Sequence, residues 1–323
     1  MSKRFMSKSK KSAAANRKAS RPLTEELKPF VAPFVADGSQ SFRLVSHNAG
    51  EKGGLDKASA QKLIERNRGL LAGFQERLYA NGRWAVLLIF QGMDAAGKDS
   101  AIEHVFSGVN PQGVDVASFK TPSSRELSHD FLWRSTLELP ERGRIGIFNR
   151  SYYEECLIVR VHPDILARQK LPKQFVTKNI WRERFEDINA YERYLSRNGV
   201  LILKFFLNVS KEEQRRRFLD RLEEPGKRWK FSMDDVSERA LWAKYQAAYQ
   251  DVIAHTATTG APWHVVPADH KWFARVVIGS TIVSALEGLK LEYPKVDKSV
   301  LPEFEKVRIA LEREERKSAA KRR

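Results

Sequence analysis

The chain of 323 residues contains 57 lysines and arginines against 40 aspartates and glutamates, which gives a formal net charge of +17. Its single cysteine, Cys156, excludes an internal disulfide framework, and no apolar run approaches the ~20 residues of a membrane span. The basic start lacks the apolar segment of a signal peptide, so we expect a cytoplasmic protein whose excess positive charge serves a polyanionic partner.

The first 40 residues have the composition of a basic arm. Residues 1–22 contain eight lysines and arginines and no acid, which leaves a net charge of about +9 on the remainder. Because this composition offers little to bury, we expect residues 1–40 to be disordered. A helix follows in LDKASAQKLIERNRGLLAGFQERLYANG, where Leu70, Leu71 and Phe74 recur on one side.

Five short apolar runs, separated by helical segments, predict the strands of the core. They are WAVLLIF, VDVASF, RIGIFN, VLILKFFLNV and WHVVPA, beginning at residues 84, 114, 144, 200 and 263. Near-continuous apolar strands that alternate with helices are typical of a parallel sheet covered on both faces. We therefore predict an α/β fold with a doubly wound, parallel, five-stranded sheet. WFARVVIGSTIVSALEGL then predicts a closing helix, and residues 300–323 predict a charged C-terminal helix.

The first predicted strand leads into QGMDAAGKDS at residues 91–100, and a helix follows. Gly92, Gly97 and Lys98 keep the spacing of a phosphate-binding loop, whose backbone N–H groups point at phosphate oxygens. Asp99 stands where such loops usually have a serine or threonine hydroxyl. The alternative is an ordinary glycine-containing turn. Strand, spacing and helix agree, so the pattern favours a phosphate-binding loop.

The sequence IGIFNRSYYEE closes the third predicted strand, where kinases of this kind usually place an acid near Mg²⁺. Asn149 occupies the place of that acid, and an amide adds no charge. Arg150 follows it directly and can bind phosphate through two parallel N–H···O bonds. Glu154 lies four residues further on. The alternative interpretation is a strand end with an ordinary ion pair between Arg150 and Glu154.

Two further segments concentrate positive charge. KTPSSRELSHDFLWR contains Lys120, Arg125 and Arg134, in the region where nucleoside monophosphate kinases bind the phosphoryl acceptor. Residues 210–240 combine an arginine-rich helix, a Pro-Gly hinge and a second helix, which predicts a lid. For both segments the alternative is a solvated, charged helix face. The basic residues of the predicted lid are Arg216, Arg217, Arg221, Lys227, Arg228 and Lys230.

Seven blocks in chain order resemble the type 2 polyphosphate kinases, between about Phe42 and Glu292. They are FQGMDAAGKD, SGVNPQGV, HDFLWR, GIFNRSYYEE, KFFLNVSKEEQRRRF, RWKFS and PADHKWFARVV. The resemblance implies a P-loop kinase domain with a helical lid, which we assign to residues 41–299. It also implies reversible transfer of the terminal phosphoryl group of polyphosphate to a nucleotide. FNRS followed by YYEE is similar to the single-domain class that accepts both AMP and ADP.

The resemblance and the residue types together predict a role for each part of the site. Asp94, inside the loop, is expected to bind Mg²⁺, with Mn²⁺ as an alternative, either directly or through water. Lys98 and Arg150 complete the expected catalytic set. The expected nucleotide-binding residues are Asn149, Glu154 and Arg134. The expected phosphate- and polyphosphate-binding residues are Gly92, Ala95, Ala96, Gly97, Lys98, Asp99, Lys120, Arg217, Arg221 and Lys230.

The expected partners are inorganic polyphosphate and the nucleotides AMP, ADP and ATP, with guanine nucleotides as further candidates. The resemblance also implies a homo-oligomer, a dimer or a tetramer, and no membrane partner is expected. Two other functions stay open. One is a P-loop kinase that uses ATP on a metabolite or nucleotide. The other is nucleic-acid binding, which we expect only through the basic arm, because phosphate backbones need only cations.

Overall fold

The computed structural model describes residues 22–321, except for the side chains of Lys230 and residues 317–321. The chain divides into a larger unit that ends at Leu291 and a smaller unit that begins at Glu292. The strands are β1 (Val35–Ala36), β2 (Ala85–Gln91), β3 (Val114–Ser118), β4 (Ile145–Asn149), β5 (Val200–Asn208) and β6 (Trp263–Pro267). The first nine helices are α1 (Leu23–Val31), α2 (Lys57–Asn81), α3 (Lys98–Val105), α4 (Trp133–Thr136), α5 (Ile158–Val161), α6 (Pro163–Arg168), α7 (Ile180–Arg197), α8 (Lys211–Glu223) and α9 (Asp234–Ala240). They are followed by α10 (Trp242–Thr256), α11 (Lys271–Gly288) and α12 (Leu301–Lys321).

The sheet contains the five predicted strands, all parallel, and one further strand at its edge. Its order is β1-β6-β5-β2-β4-β3. The prediction of an α/β fold with a doubly wound sheet is confirmed, but the count of five strands is wrong. The sixth strand, β1, is antiparallel to β6 and pairs Val35 with His264. A strand of two residues is too short to show an apolar periodicity, which is why the sequence did not reveal it.

The larger unit begins earlier in the chain than we expected. The arm was predicted to reach residue 40, whereas α1 is helical and the side chains of Leu27 and Phe34 are buried in the core. The Glu287 carboxylate on α11 accepts hydrogen bonds from the first two backbone N–H groups of α1, at 2.9 and 2.6 Å. A helix N-terminus leaves such N–H groups without partners, so this contact ties α1 to α11. The expected disorder of residues 1–21 lies outside the described residues.

Alternate residues of the strands face two different helical layers. In β2, Val86, Leu88 and Phe90 lie in the core cluster that includes α2, α3 and α11, while Leu87 and Ile89 lie in the cluster that includes α7 and α10. Burial on both faces explains why the strands read as continuous apolar runs. The connection after β2 leads to β3 on one side of the sheet, whereas the connection after β5 leads to β6 on the other, so a crevice forms at the carboxyl ends of β2 and β5.

The segments predicted as a lid and as a C-terminal helix both have helical structure. Residues 210–240 contain α8, a 3-10 helix at Pro225–Lys230 and α9. In the smaller unit, Arg308 on α12 pairs with Glu305 and Glu312, one turn away on either side. Across residues 22–321, none of the helices is long and apolar enough to cross a bilayer.

Candidate active site

The loop between β2 and α3 curls tightly around its two glycines. A Cβ atom on Gly92 would lie 3.0 Å from the Leu207 carbonyl oxygen, and Gly97 has φ +100°, a conformation that other residues rarely adopt. Ala95 also has a positive φ, 59°, at a cost of about 1–2 kcal/mol. The loop ends at the N-terminus of α3, where the first backbone N–H groups have no partner within the helix. This geometry fits the binding of phosphate oxygens.

Lys98 lies across the inside of the loop and is only 9% exposed. Its Nζ donates to the carbonyl oxygens of Gly92 at 2.6 Å and Met93 at 3.3 Å. Burial, and after it the nearby guanidinium of Arg150, lower the pKa of Lys98 to about 8, against the opposing effect of neighbouring carboxylates. An anion bound inside the loop would stabilise the charged ammonium group, so the lysine is suited to phosphate.

Arg150 connects the loop to the turn that follows β4. One terminal nitrogen donates to the Asp94 carboxylate at 2.7 Å, and the other donates to the Glu154 carboxylate at 3.2 Å. Glu154 is the largest cause, and Asp94 a further one, of a raised pKa for Arg150, which burial opposes. The backbone of Arg150 has φ +64°. The structure therefore brings together Asp94, Arg150 and Glu154, three residues of the predicted site, and the Arg150 guanidinium pairs with both acids.

The two departures from the usual kinase pattern lie in contact. The Asn149 side chain donates a hydrogen bond of 2.5 Å to the Asp99 carboxylate. Phe90, one residue before the end of β2, pairs with Asn149 at the end of β4, so the sheet register sets this contact. An amide at the strand end and a carboxylate after the loop lysine thus satisfy each other. The acid is present at this site, but on α3 instead of β4.

Arg217 lies on α8, the first helix of the predicted lid, but its guanidinium contacts the protein backbone. Its guanidinium on α8 is 5% exposed, and all five of its N–H donors have acceptors in the protein at 2.5–3.2 Å. The acceptors are the Glu213 carboxylate and the backbone carbonyls of Ala95, Ala96, Ala268 and Asp269. We expected this side chain to face phosphates, whereas the structure places it against the carbonyl groups of the loop.

Arg221 and Arg134, two further residues of the predicted site, have partners within the protein. Arg221 pairs with Asp235 at 3.2 Å, and the side chain of Lys230 lies outside the described part of the chain. Arg134 donates to the Lys120 carbonyl at 2.8 Å, and its burial lowers its pKa. Arg134 lies on α4, a single helical turn, and Lys120 lies outside the helices.

A cavity of about 60 Å³ lies beside Asp94 and reveals residues that sequence reasoning missed. The Gln214 side chain donates to the Asp94 carbonyl at 2.9 Å and accepts from Arg239 at 2.9 Å. Burial and the charge of Asp94 raise the pKa of Asp235. The spacing of three and four residues from Asp235 to Glu238 and Arg239 could have grouped these three on one face of the predicted helix. The lining residues from α8, α9 and α10 are Gln214, Asp235, Glu238, Arg239, Tyr245 and Tyr249.

Comparison with known proteins identifies the group to which this site belongs. The family model of polyphosphate kinase 2 matches residues 54–294. An ADP-polyphosphate phosphotransferase of Rhodopseudomonas palustris is 52% identical over 240 residues, which cover 74% of this chain and 83% of that protein. An AMP/ADP-polyphosphate phosphotransferase of Meiothermus ruber is 45% identical over 239 residues, covering 74% of this chain and 85% of that protein.

A solved structure agrees with the sequence comparisons. The crystal structure of polyphosphate kinase 2 from Arthrobacter aurescens TC1 superimposes on this fold with a TM-score of 0.77 and 38% sequence identity. The superposition covers 85% of this chain and 97% of that one. The loop, the strand-end turn and the helices around Asp94 all fall within the matched family region. The chain belongs to the polyphosphate kinase 2 family.

Proposed function

We propose that this protein transfers the terminal phosphoryl group of inorganic polyphosphate to ADP, AMP or both, and that the reaction is reversible. The observation that carries the proposal is the convergence of Lys98, Asp94 and Arg150 at the phosphate-binding loop. The proposal draws its substrates from two similar family members, one named for ADP and one for both AMP and ADP. Phosphoryl transfer needs positioned charge more than covalent chemistry, and this site supplies it.

Each member of the loop site has a distinct part in the proposed reaction. Backbone N–H groups of the loop and of the first turn of α3 would bind phosphate oxygens. The ammonium of Lys98 would exchange its two carbonyl acceptors for oxygens of the transferring group. Arg150 would leave one of its two carboxylates and neutralise charge on the same group, because a guanidinium binds phosphate through two N–H donors. Asn149, Glu154, Arg134 and Lys120 would form the nucleotide side.

Asp94 is the residue we propose for Mg²⁺, with Mn²⁺ as an alternative. Within residues 22–321, no three metal-binding side chains cluster, but Mg²⁺ in kinases is commonly bound by one or two carboxylates together with phosphates and water. Asp94 fits this pattern, because its side chain is 32% exposed and only one of its carboxylate oxygens accepts the hydrogen bond from Arg150. Asp94 would hold the ion at the loop, where its positive charge would be available to neutralise phosphate.

The helices beside the site would have to move for substrate to bind. The cavity of about 60 Å³ is far smaller than the roughly 300–1,000 Å³ of typical ligand sites. Its walls include Asp235 and Glu238 on α9, and Glu238 also contacts His162 at 3.0 Å on the other side of the site. We propose that residues 225–240, which hold the 3-10 helix and α9, open away from the loop while Arg217 keeps α8 against it. Arg221 and Lys230 would meet polyphosphate when this segment closes.

One assay distinguishes the proposal from an ATP-dependent kinase. The purified protein, Mg²⁺ and polyphosphate are offered AMP, ADP, GMP and GDP in turn, with no ATP present. We expect ATP from ADP, or ADP and then ATP from AMP. If no nucleotide is phosphorylated until ATP is supplied as donor, the donor assignment is wrong. Deletion of residues 1–22 tests the nucleic-acid alternative, because it should remove nucleic-acid retention and leave the kinase activity.

The position of Arg217 predicts an effect on the loop that does not depend on substrate. Replacing Arg217 with lysine leaves three donors for five acceptors, so some buried loop carbonyls lose their partners, at about 1–3 kcal/mol each. We expect faster amide hydrogen exchange in the loop of the free protein, and kcat/KM lower by about 10-fold to 100-fold. Exchange measured by mass spectrometry, without substrate, checks the first point.

The control for Arg217 is Arg66→Lys, which changes an arginine in an exposed ion pair with Glu26. This change should leave both loop exchange and kcat/KM within twofold of the wild type, because exposed ion pairs contribute little. One outcome for the Arg217→Lys protein would restore the original expectation that Arg217 faces phosphate. If the lysine variant weakens only polyphosphate binding and leaves loop exchange as it was, the arginine acts on phosphate and not on the loop.

A further inference from the structure

A fully buried polar cluster is attached to the turn between Asn149 and Glu154 through Tyr152 and Tyr153. Its centre is an ion pair of 2.6 Å between Lys204 on β5 and Glu192 on α7. Lys204 is 0% exposed and Glu192 is 2% exposed. The mechanism proposed above makes no use of either residue. We call this ion pair, with Tyr152 and Tyr153, the buried tyrosine cluster.

The hydrogen bonds of the cluster converge on two consecutive residues of the turn. The hydroxyls of Tyr152 and Tyr153 donate to the same oxygen of Glu192, at 2.8 and 2.7 Å. The Lys204 ammonium donates to the other carboxylate oxygen of Glu192, to the Tyr153 hydroxyl at 3.0 Å and to the Thr256 carbonyl at 2.8 Å. All three ammonium donors are therefore satisfied. Burial, with the charge of Glu192, raises the pKa of both phenols, so they stay protonated and donate.

The stability of the fold alone does not account for such a cluster. Moving two charges out of water is costly, and apolar side chains of similar volume in place of a buried ion pair often leave stability unchanged or raise it. What the cluster does supply is a fixed position for two tyrosines in the turn. Side chains that only filled this space would not need to be polar. The four side chains of the cluster are polar, and each is hydrogen-bonded to another member.

The turn held by the tyrosines carries the charged residues of the site. Arg150 precedes the tyrosines and Glu154 follows them, and the two pair with each other at 3.2 Å. Arg150 adopts φ +64°, a backbone conformation that persists in a non-glycine residue only when its surroundings hold it. Ser151 adds a further restraint, because its Oγ accepts the N–H of Tyr153 at 3.1 Å. The cluster is thus attached to the turn at the residues between the two charges.

We propose that Glu192 and Lys204 are positioning residues, which act through Tyr152 and Tyr153 to hold Glu154, and with it Arg150, in place beside Asp94. The inference rests on the proposed function for its effect on turnover, although the restraint on the turn exists without substrate. A displacement of about 1 Å in a reacting group can lower the rate about 100-fold. Loss of the cluster should therefore lower kcat much more than it changes KM.

The test replaces the whole cluster by apolar side chains of similar size. The variant combines Glu192→Leu, Lys204→Met, Tyr152→Phe and Tyr153→Phe, so that within the cluster only the Thr256 carbonyl loses its hydrogen-bond donor. We expect a melting temperature within a few degrees of the wild type and kcat at least 10-fold lower. We also expect faster amide exchange over residues 150–156 in the free protein. Tyr153→Phe alone, which removes one hydroxyl, is the smaller change if the combined variant does not fold.

A second background shows whether the cluster acts through Glu154. In a Glu154→Gln protein, the apolar replacement should lower kcat by less than threefold, because the group that it positions has already lost its charge. A general structural role would instead give the same loss in both backgrounds. The control is Asn67→Leu with Ser280→Ala, which removes another buried hydrogen-bonded pair, at 3.0 Å, in the opposite layer. Its kcat should equal that of the wild type.

The outcomes separate this inference from the proposed function. If the wild type transfers phosphate from polyphosphate but the apolar variant keeps its kcat and its exchange rates, the inference is wrong and the function stands. If kcat falls equally in the Glu154→Gln background, the cluster does not act through Glu154. If the wild type lacks the activity, the proposed function fails, and the exchange rates over residues 150–156 alone then support or overturn the restraint.

Discussion

Asp94→Asn should lower kcat about 100-fold to 1,000-fold, because it removes the carboxylate proposed for Mg²⁺ at the point where phosphate charge develops. The variant should keep its fold, since Arg150 retains Glu154 as a partner. It should also need more Mg²⁺ for half-maximal rate. Steady-state kinetics over a range of Mg²⁺ concentrations check both expectations, and Mn²⁺ titration followed by electron paramagnetic resonance measures metal binding without turnover.

The matched control for this substitution is Asp115→Asn. Asp115 also pairs with an arginine, Arg144, at 2.7 Å, but it lies exposed on β3, away from the loop. Removing its charge should leave kcat and Mg²⁺ dependence as in the wild type. Turnover within threefold of the wild type in the Asp94→Asn protein would remove Asp94 from the metal role. Asp99, which is hydrogen-bonded to Asn149, would then be the next candidate for the Mg²⁺-binding carboxylate.

Lys98→Met should lower kcat by a similar factor, about 100-fold to 1,000-fold, because no other ammonium group lies inside the described loop. The same substitution should not lower stability, although it lowers kcat. Burial disfavours the charged lysine in the native state, so an apolar chain of similar length should leave the melting temperature at pH 7 unchanged or higher. Activity and thermal unfolding, measured on the same preparation, test this combination.

The pKa of Lys98 also predicts how stability varies with pH. Its native value of about 8 lies below the ordinary lysine value of roughly 10.4, so the unfolded chain binds more protons between these limits. The contribution of Lys98 to stability is therefore complete above about pH 10.4 and lost as the pH falls through 8. Any stability advantage of Lys98→Met should accordingly shrink as the pH rises from 8 to 10.

The same titration should appear in the kinetics of the wild type. Because kcat/KM reports groups of the free enzyme, it should fall above about pH 8, where the ammonium loses its proton. The fall in kcat should come at higher pH, since bound phosphate favours the charged lysine. A kcat/KM that stays level to pH 9.5 would show that Lys98 keeps its proton in the empty site. Lys62→Met, a change on the surface of α2, is the control.

Features that depend on neighbouring residues in the chain were predictable from the sequence. The loop from Gly92 to Lys98 was recognised by its spacing, and the five parallel strands by their apolar runs, because both patterns are written within a few residues. The edge strand β1 and the helix α1 were missed for the same reason. β1 has two residues, and α1 gains its place through contacts with Glu287, more than 250 positions away.

The relations between these features were decided only by the tertiary structure. Asn149 and Asp99 each appeared as a departure from the kinase pattern, and only the register of β2 against β4 makes them partners. Arg217 was correctly placed on a helix, but the packing of α8 against the loop determines whether its guanidinium meets phosphate or backbone carbonyls. The sequence by itself determined the family, the sheet and the phosphate-binding loop. The side chains that contact one another at the loop were decided by contacts across 50 to 122 residues, which no local pattern encodes.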